Sequence, residues 1–303
     1  MNTATKLAAY TGGLAAIFAA ALGVGAAVGS PIDMPTATHG DTHLETPNAA
    51  PETPGGLQVS EQGYTLSEIT TGPDALSFRI TGPTGEPVTA FTEEHEKKLH
   101  LIVVRSDTTG YRHVHPTMSD DGTWTVDWAW PSGGSYRVFA DFRPTDGPAL
   151  TLGRTVDVAG DTAPAPTLAP NRIAEVDGYR VELTGELDTG GGPLTLNVSR
   201  DGVPVTDLQP YLGAFGHLVA LRTGDLAYLH VHPQGAPGDG VTAPGPEIVF
   251  HAQAPSQGTY RLFLDFRHQN TVRTAEFTVT ADQPGTPDAH PTPAPAGSTG
   301  HGH

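Results

Sequence analysis

The chain is an internal duplication, and this constrains its fold more than any other feature. Sliding the sequence by 117 residues lays GEPVT at 85–89 over GVPVT at 202–206 and HLIVVR at 100–105 over HLVALR at 217–222. The same shift lays YRHVHP at 111–116 over YLHVHP at 228–233, so the register holds without a gap through 32 positions, 12 of them identical. An insertion of seven residues in the Gly/Pro-rich loop after Pro233 resets the shift to 124, and SGGSYRVFADFR at 132–143 then matches SQGTYRLFLDFR at 256–267. Whatever one copy folds into, the other must fold into as well, and each has only about 100 residues to do so.

The composition favours strands and turns. With 37 Gly and 28 Pro among 303 residues, the chain carries nearly twice the usual ~12% share of the two. Alternating apolar positions predict seven short strands in the first copy, near Tyr64–Ile69, Leu76–Thr81, Leu99–Arg105, Tyr111–His115, Trp124–Trp128, Ser135–Phe142 and Arg154–Val158. Counterparts are expected near Tyr179–Thr184, Leu194–Ser199, His217–Leu221, Tyr228–His232, Glu247–His251, Thr259–Phe266 and Val272–Val279. Seven such strands in about 100 residues point to an all-β protein of two tandem Ig-like β-sandwich domains, with a small barrel as the alternative.

Composition also divides the chain. Leu7–Gly29 has no charge and reads as a signal peptide or a membrane anchor within residues 1–29, with Ala27-Val28-Gly29 as the small residues of a cleavage site. Residues 30–56 are a polar, Pro-rich tether. Sandwich repeats follow at 57–158 and 172–281, separated by the Pro/Ala linker 159–171 and followed by a His-containing tail at 282–303, which is expected to be disordered. The chain is therefore expected outside the cytoplasm, anchored or secreted, with residues 7–29 as its possible contact with a membrane. A formal charge of -17 argues against nucleic acid as a partner.

There are 14 His and no Cys. The absence of Cys excludes disulfides, thiolate zinc sites, iron–sulfur clusters and blue-copper centres. Six of the histidines form one pattern used twice, His-x12-His-x-His: His100, His113 and His115, then His217, His230 and His232. His113 and His115 are two apart on a strand and share a face. A four-residue loop at Ser106–Thr109 would pair Arg105 with Gly110 and so His100 with His115; the equivalent loop, Thr223–Leu226, would pair His217 with His232. Three imidazoles per copy should then converge, as a ligand set for Cu²⁺ first and Zn²⁺ second. Cu⁺ would ask for sulfur, and only Met1, Met34 and Met118 supply it. Asp141 and its counterpart Asp265 are candidate fourth ligands, with pairing to a neighbouring arginine as the ordinary alternative. His251 and His268, whose partners in the first copy are Asp127 and Pro144, are expected on the surface. A structural polar cluster is the competing account of the triplets, and His39, His43, His290, His301 and His303 lie in the tethers.

At HLIVVR, YRHVHP and YRVFADF the chain resembles exported actinobacterial β-sandwich proteins described as heavy-metal-associated, and the Ig-like topology is similar to that of CopC-type copper carriers. The resemblance spans roughly residues 57–281. It implies that His100, His113, His115 and their copies are ligands, although no His stands at Ser30, where a copper carrier would pair one with its terminal amine.

The expected function is thus a metal-binding protein that buffers or delivers metal outside the cytoplasm. A metal-free Ig-like interaction module is the alternative. An enzyme is not expected, because no G-x-S-x-G or Ser/His/Asp pattern is present and the cupin-like spacing of His115 and Asp120 is lost after His232.

Overall fold

The computed structural model describes residues 53–284 apart from Pro73, Ala163, Pro164, Pro166, Thr167 and His230. The hydrophobic segment at 7–29 and most of the tether and tail lie outside the described residues. The two repeats fall within one compact unit. Among the described residues every regular element is a strand, and no helix is long and apolar enough to cross a membrane.

Each repeat is a sandwich of two antiparallel sheets, so the chain is an all-β protein of two tandem Ig-like domains. In the first repeat one sheet runs in the order Leu150–Val158, Gly134–Pro144, Leu99–Arg105, Arg112–Val114. The second repeats it with Thr271–Ala281, Gly258–His268, Gly216–Arg222 and Tyr228–Leu229. These sheets carry His100, His113 and His217, and in the first repeat the short strand Phe91–Thr92 also pairs with Gly134–Pro144. The opposing sheet of the first repeat is built around Ala75–Thr81, whose alternating Leu76, Phe78 and Ile80 are buried. They meet Leu101, Val103, Val138 and Ala140 in the sandwich core, with Trp124 packed against the ring of Phe91 at 5.2 Å.

Leu99–Arg105 is buried at all seven positions. A strand with one face on its own core should alternate; this one does not, because its outer face is covered by the other repeat. Ile102, Val104 and Phe139 from one sheet and Val219, Leu221, Leu226, Tyr228 and Phe263 from the other form a separate apolar cluster, with Tyr111 against it. The contact is reciprocal. Tyr111 of the first repeat stacks flat on Phe263 of the second, with centroids 4.0 Å apart and planes 4° apart. Tyr228 of the second lies against Phe139 of the first at 5.7 Å and 48°. Since 111 corresponds to 228 and 139 to 263, the two repeats meet as an isologous pair inside one chain.

One segment breaks that symmetry. The Gly55 carbonyl accepts from the Tyr228 amide at 2.9 Å, and the Gly56 amide donates to the Thr151 carbonyl at 2.7 Å. The chain therefore runs as a strap across both repeats. Gly56 has φ +75°, and a Cβ there would meet the Phe139 ring at 2.5 Å, so only glycine fits.

The hairpin register is the expected one. Leu101 pairs with Val114 and Ile102 with His113, which carries Arg105 opposite Gly110 and His100 opposite His115. Ala220 pairs with Leu229 and Leu221 with Tyr228 in the second repeat. The expected strand Tyr228–His232 is, however, two short strands. Tyr228–Leu229 stays with the His-bearing sheet, while His232–Pro233 passes to the opposing sheet, where His232 faces His251. The chain changes sheets between Leu229 and His232, and Pro233 pairs with Phe250 in the second ladder.

Candidate metal centre

His100, His113 and His115 converge. Their facing nitrogens all lie within 4.8 Å of one another. His100 stands on the central strand and shares its outer face with Ile102 and Val104; His113 and His115 come from the neighbouring strand and its continuation.

The orientation of the rings is fixed from outside. His100 Nε2 lies 3.0 Å from the Glu94 carbonyl oxygen, which can only accept, so Nε2 carries the proton. His113 Nδ1 lies 2.9 Å from Asp265 Oδ2, and by the same reasoning Nδ1–H donates to the carboxylate. The inward nitrogens, His100 Nδ1 and His113 Nε2, therefore both hold lone pairs in the neutral rings, and they are 3.0 Å apart. His115 Nε2 is 3.2 Å from the same His100 Nδ1. Lone pairs at hydrogen-bond distance with no proton to share repel, and a cation between them removes the conflict.

A proton is a poor candidate for that cation at neutral pH. Burial, then the charge of the neighbouring imidazoles, lowers His100 to about 3 and His115 to about 2. His100 and His115 thus offer neutral nitrogen donors, and the spacings of 3.0 and 3.2 Å within the triad are close to the roughly 3.3 Å between donors on a tetrahedral ion at ~2.0 Å. The residues present thus fit a divalent cation of borderline softness.

The turn that supplies the Glu94 carbonyl is itself duplicated. Glu94 and Lys97 bridge across His95 and Glu96, both at positive φ, and Tyr211 and Ala214 bridge across Leu212 and Gly213 in the same conformation. In the second repeat His217 Nε2 donates to the Tyr211 and Leu212 carbonyls at 3.0 and 3.1 Å, which leaves the Nδ1 of its neutral ring an acceptor. Burial lowers His217 to about 4. His230 lies outside the described residues, and of His232 only the backbone is described.

A model of a family described as "Domain of unknown function (DUF8832)" matches residues 56–160 and again 174–283. The chain belongs to the DUF8832 family. That description assigns no metal, so the heavy-metal resemblance of HLIVVR and YRHVHP gains no support from membership. No curated protein matches the chain. Among solved structures it is similar to the FN1–FN3 domains of chicken CNTN1, at 13% identity over 78% of this chain and 68% of that one. It is also similar to a putative membrane anchored protein from Corynebacterium diphtheriae, at 9% identity over 74% and 59%. Both have a TM-score of 0.20, a level of superposition that fixes no shared arrangement.

Across the two DUF8832 repeats the histidines are neighbours. The rings of the equivalent residues His100 and His217 are 6.3 Å apart, and a cavity of about 40 Å³ is lined by His95, His100, His113 and His217 together. His95, to which the sequence pattern gave no role, sits 5.2 Å from His217 and 6.2 Å from His100. Its only signal was its place in the turn before His100, since the second repeat has Leu212 there.

Asp265 is held by groups that the alternation along its own strand did not suggest. Asp265 receives His113 Nδ1–H from the other repeat and Thr274 Oγ1–H at 2.6 Å from its own. Asp141 accepts from Thr151 Oγ1 at 3.0 Å and stands across the ladder from His100. The arginines of this face are engaged elsewhere: Arg137 with the Gly56 carbonyl and Arg261 with Glu276 and the Phe277 carbonyl. His268 is a further correction. It is 6% exposed rather than on the surface, accepting from Tyr179 Oη at 2.6 Å and donating to Asp207 at 3.0 Å. His251 is exposed, as expected.

Proposed function

We propose that this chain binds a divalent metal ion through His100 Nδ1, His113 Nε2 and His115 Nε2, and that the repeated spacing gives the second repeat an equivalent ligand set in His217, His230 and His232. One observation carries the reading: two buried imidazole nitrogens face each other at 3.0 Å while the opposite nitrogens of both rings donate to oxygen acceptors. A purely structural polar cluster would place a donor against an acceptor at that point. Cu²⁺ is the favoured ion and Zn²⁺ the second, because the donors are all nitrogen, with no sulfur among the ligands. The role is buffering or delivery of metal outside the cytoplasm, with the segment at 7–29 as export signal or anchor. Catalysis is not part of the proposal.

Calorimetric titration of the chain with Cu²⁺ and with Zn²⁺ tests this. Two equivalents are expected. The double substitution His113→Ala/His115→Ala should remove one and His230→Ala/His232→Ala the other. Absence of heat and of any thermal shift with both ions would overturn the reading and leave a metal-free Ig-like interaction module.

A further inference from the structure

The histidine triad of the first repeat is not built by the first repeat alone. One of its rings, His113, is held by Asp265, 152 residues away on the Gly258–His268 strand of the second repeat. Both side chains are buried, at 4% and 5% exposure, so the bond is shielded from water. Asp265 is held in turn: Thr274, its partner across the ladder, donates to Oδ1 and leaves Oδ2 for His113. The bond lies beside the apolar contact of Tyr111 on Phe263, two residues along each strand.

We propose that Asp265 is a positioning residue for the triad of the other repeat, so that cation binding there and the docking of the two repeats form one linked equilibrium. This deepens the metal-binding reading and rests on it. By accepting the hydrogen bond from Nδ1–H, the carboxylate keeps the proton on that nitrogen, so the neutral His113 ring presents a lone pair at Nε2 of raised basicity. If the repeats part, His113 loses both the constraint on its tautomer and the negative charge behind it. By reciprocity, a cation that binds better to the docked arrangement holds the repeats together by the same factor.

The test uses the full chain with Asp265→Asn, an isosteric change. With Thr274 still donating to the amide oxygen, the Asn NH₂ faces His113 Nδ1 and donates to it, which moves the ring proton to Nε2. Two-bond ¹H–¹⁵N correlation spectra of the metal-free protein should show His113 protonated at Nδ1 in the parent and at Nε2 in the variant. Zn²⁺ affinity of the first repeat should fall about 10- to 100-fold, the size of loss typical when a ligand's outer partner is removed. Hydrogen exchange should show Zn²⁺ protecting residues 99–115 and 258–268 together in the parent, and only the first segment in Asp265→Asn. Thr274→Val should shift affinity in the same direction by less. An unchanged tautomer and unchanged affinity in Asp265→Asn would overturn the assignment. The tautomer is read without metal, so a parent chain that binds no Zn²⁺ would overturn the metal reading and the linkage while leaving the positioning of His113 separately decided.

Discussion

The two repeats carry the same histidine spacing in different surroundings. Around His100 the preceding turn places His95 at the edge of the cavity; around His217 the same turn, with the same left-handed backbone, places Leu212. His100 Nε2 has one carbonyl acceptor and His217 Nε2 has two. After the His-x-His-Pro segment the first repeat goes on to Thr117–Met118. The second enters its inserted loop, which lines a cavity of about 480 Å³ with residues 234–235, 241–243 and 245–246, together with Ala214, Phe215, Pro233 and the start of the Glu247–Ala252 strand. Duplication preserved the histidine spacing and the left-handed turn that holds His100 and His217, while the surrounding groups diverged. Since those groups set affinity, the two sites should not be equal.

The largest effect that would break the comparison is loss of a ligand. His113→Ala should abolish metal binding in the first repeat and leave one equivalent in the second, read by calorimetric stoichiometry. Loss of both equivalents would mean that the sites do not function separately.

Next in size is the apolar contact. Phe263→Ala and Phe139→Ala remove equivalent rings from the two sides of the interface, both fully buried. Each should cost about 3–5 kcal/mol in chemical denaturation. The flat stack of Tyr111 on Phe263 predicts the larger loss for Phe263, and equal losses would show that the stacking geometry adds nothing.

Acid should act on both repeats. His100, His115 and His217 have pKa values lowered to about 3, 2 and 4, so between pH 6.5 and about 4 the unfolded chain binds protons that the folded chain refuses. Folding stability should therefore fall as pH drops through that window, with a slope of up to ~1.4 kcal/mol per pH unit for each such group. Denaturation series at stepped pH measure the slope, and His217→Leu should reduce it by one proton's share. A slope unchanged by that substitution would contradict the burial argument.

The smallest expected effect sharpens the asymmetry. His95→Leu gives the first turn the residue that the second already tolerates at the same φ, so folding should be unaffected. Cu²⁺ affinity of the His217 repeat should drop a few-fold while that of the His100 repeat changes less, as read by titration of the His113→Ala and His230→Ala backgrounds.

Much of this was legible in residues. The alternation in Ala75–Thr81 and the turn length at Ser106–Thr109 are local, and they brought His100 opposite His115 without reference to the rest of the chain. HLIVVR and HLVALR carried a subtler signal: each is an unbroken apolar run, which in an antiparallel sheet means that both faces are covered. Tyr111 and Phe263 are far apart in sequence and could not be paired from it. For the same reason Asp265, judged only against its own strand, pointed toward a neighbouring arginine, whereas its partner is a histidine of the other repeat. His268 looked like surface because Pro144 replaces it in the first copy, and nothing in the sequence places Tyr179 and Asp207 on either side of it.

The reciprocal interface also has a consequence for mass action. Two separate domains meeting through the Tyr111–Phe263 and Tyr228–Phe139 contacts would dissociate on dilution, and any site sharing residues across them would dissociate with them. Joined by the stretch Ala159–Asn171, they meet at an effective concentration on the order of millimolar, whatever the concentration of the chain. The His113–Asp265 bond is thus as available to a single molecule in a dilute compartment as in a concentrated one.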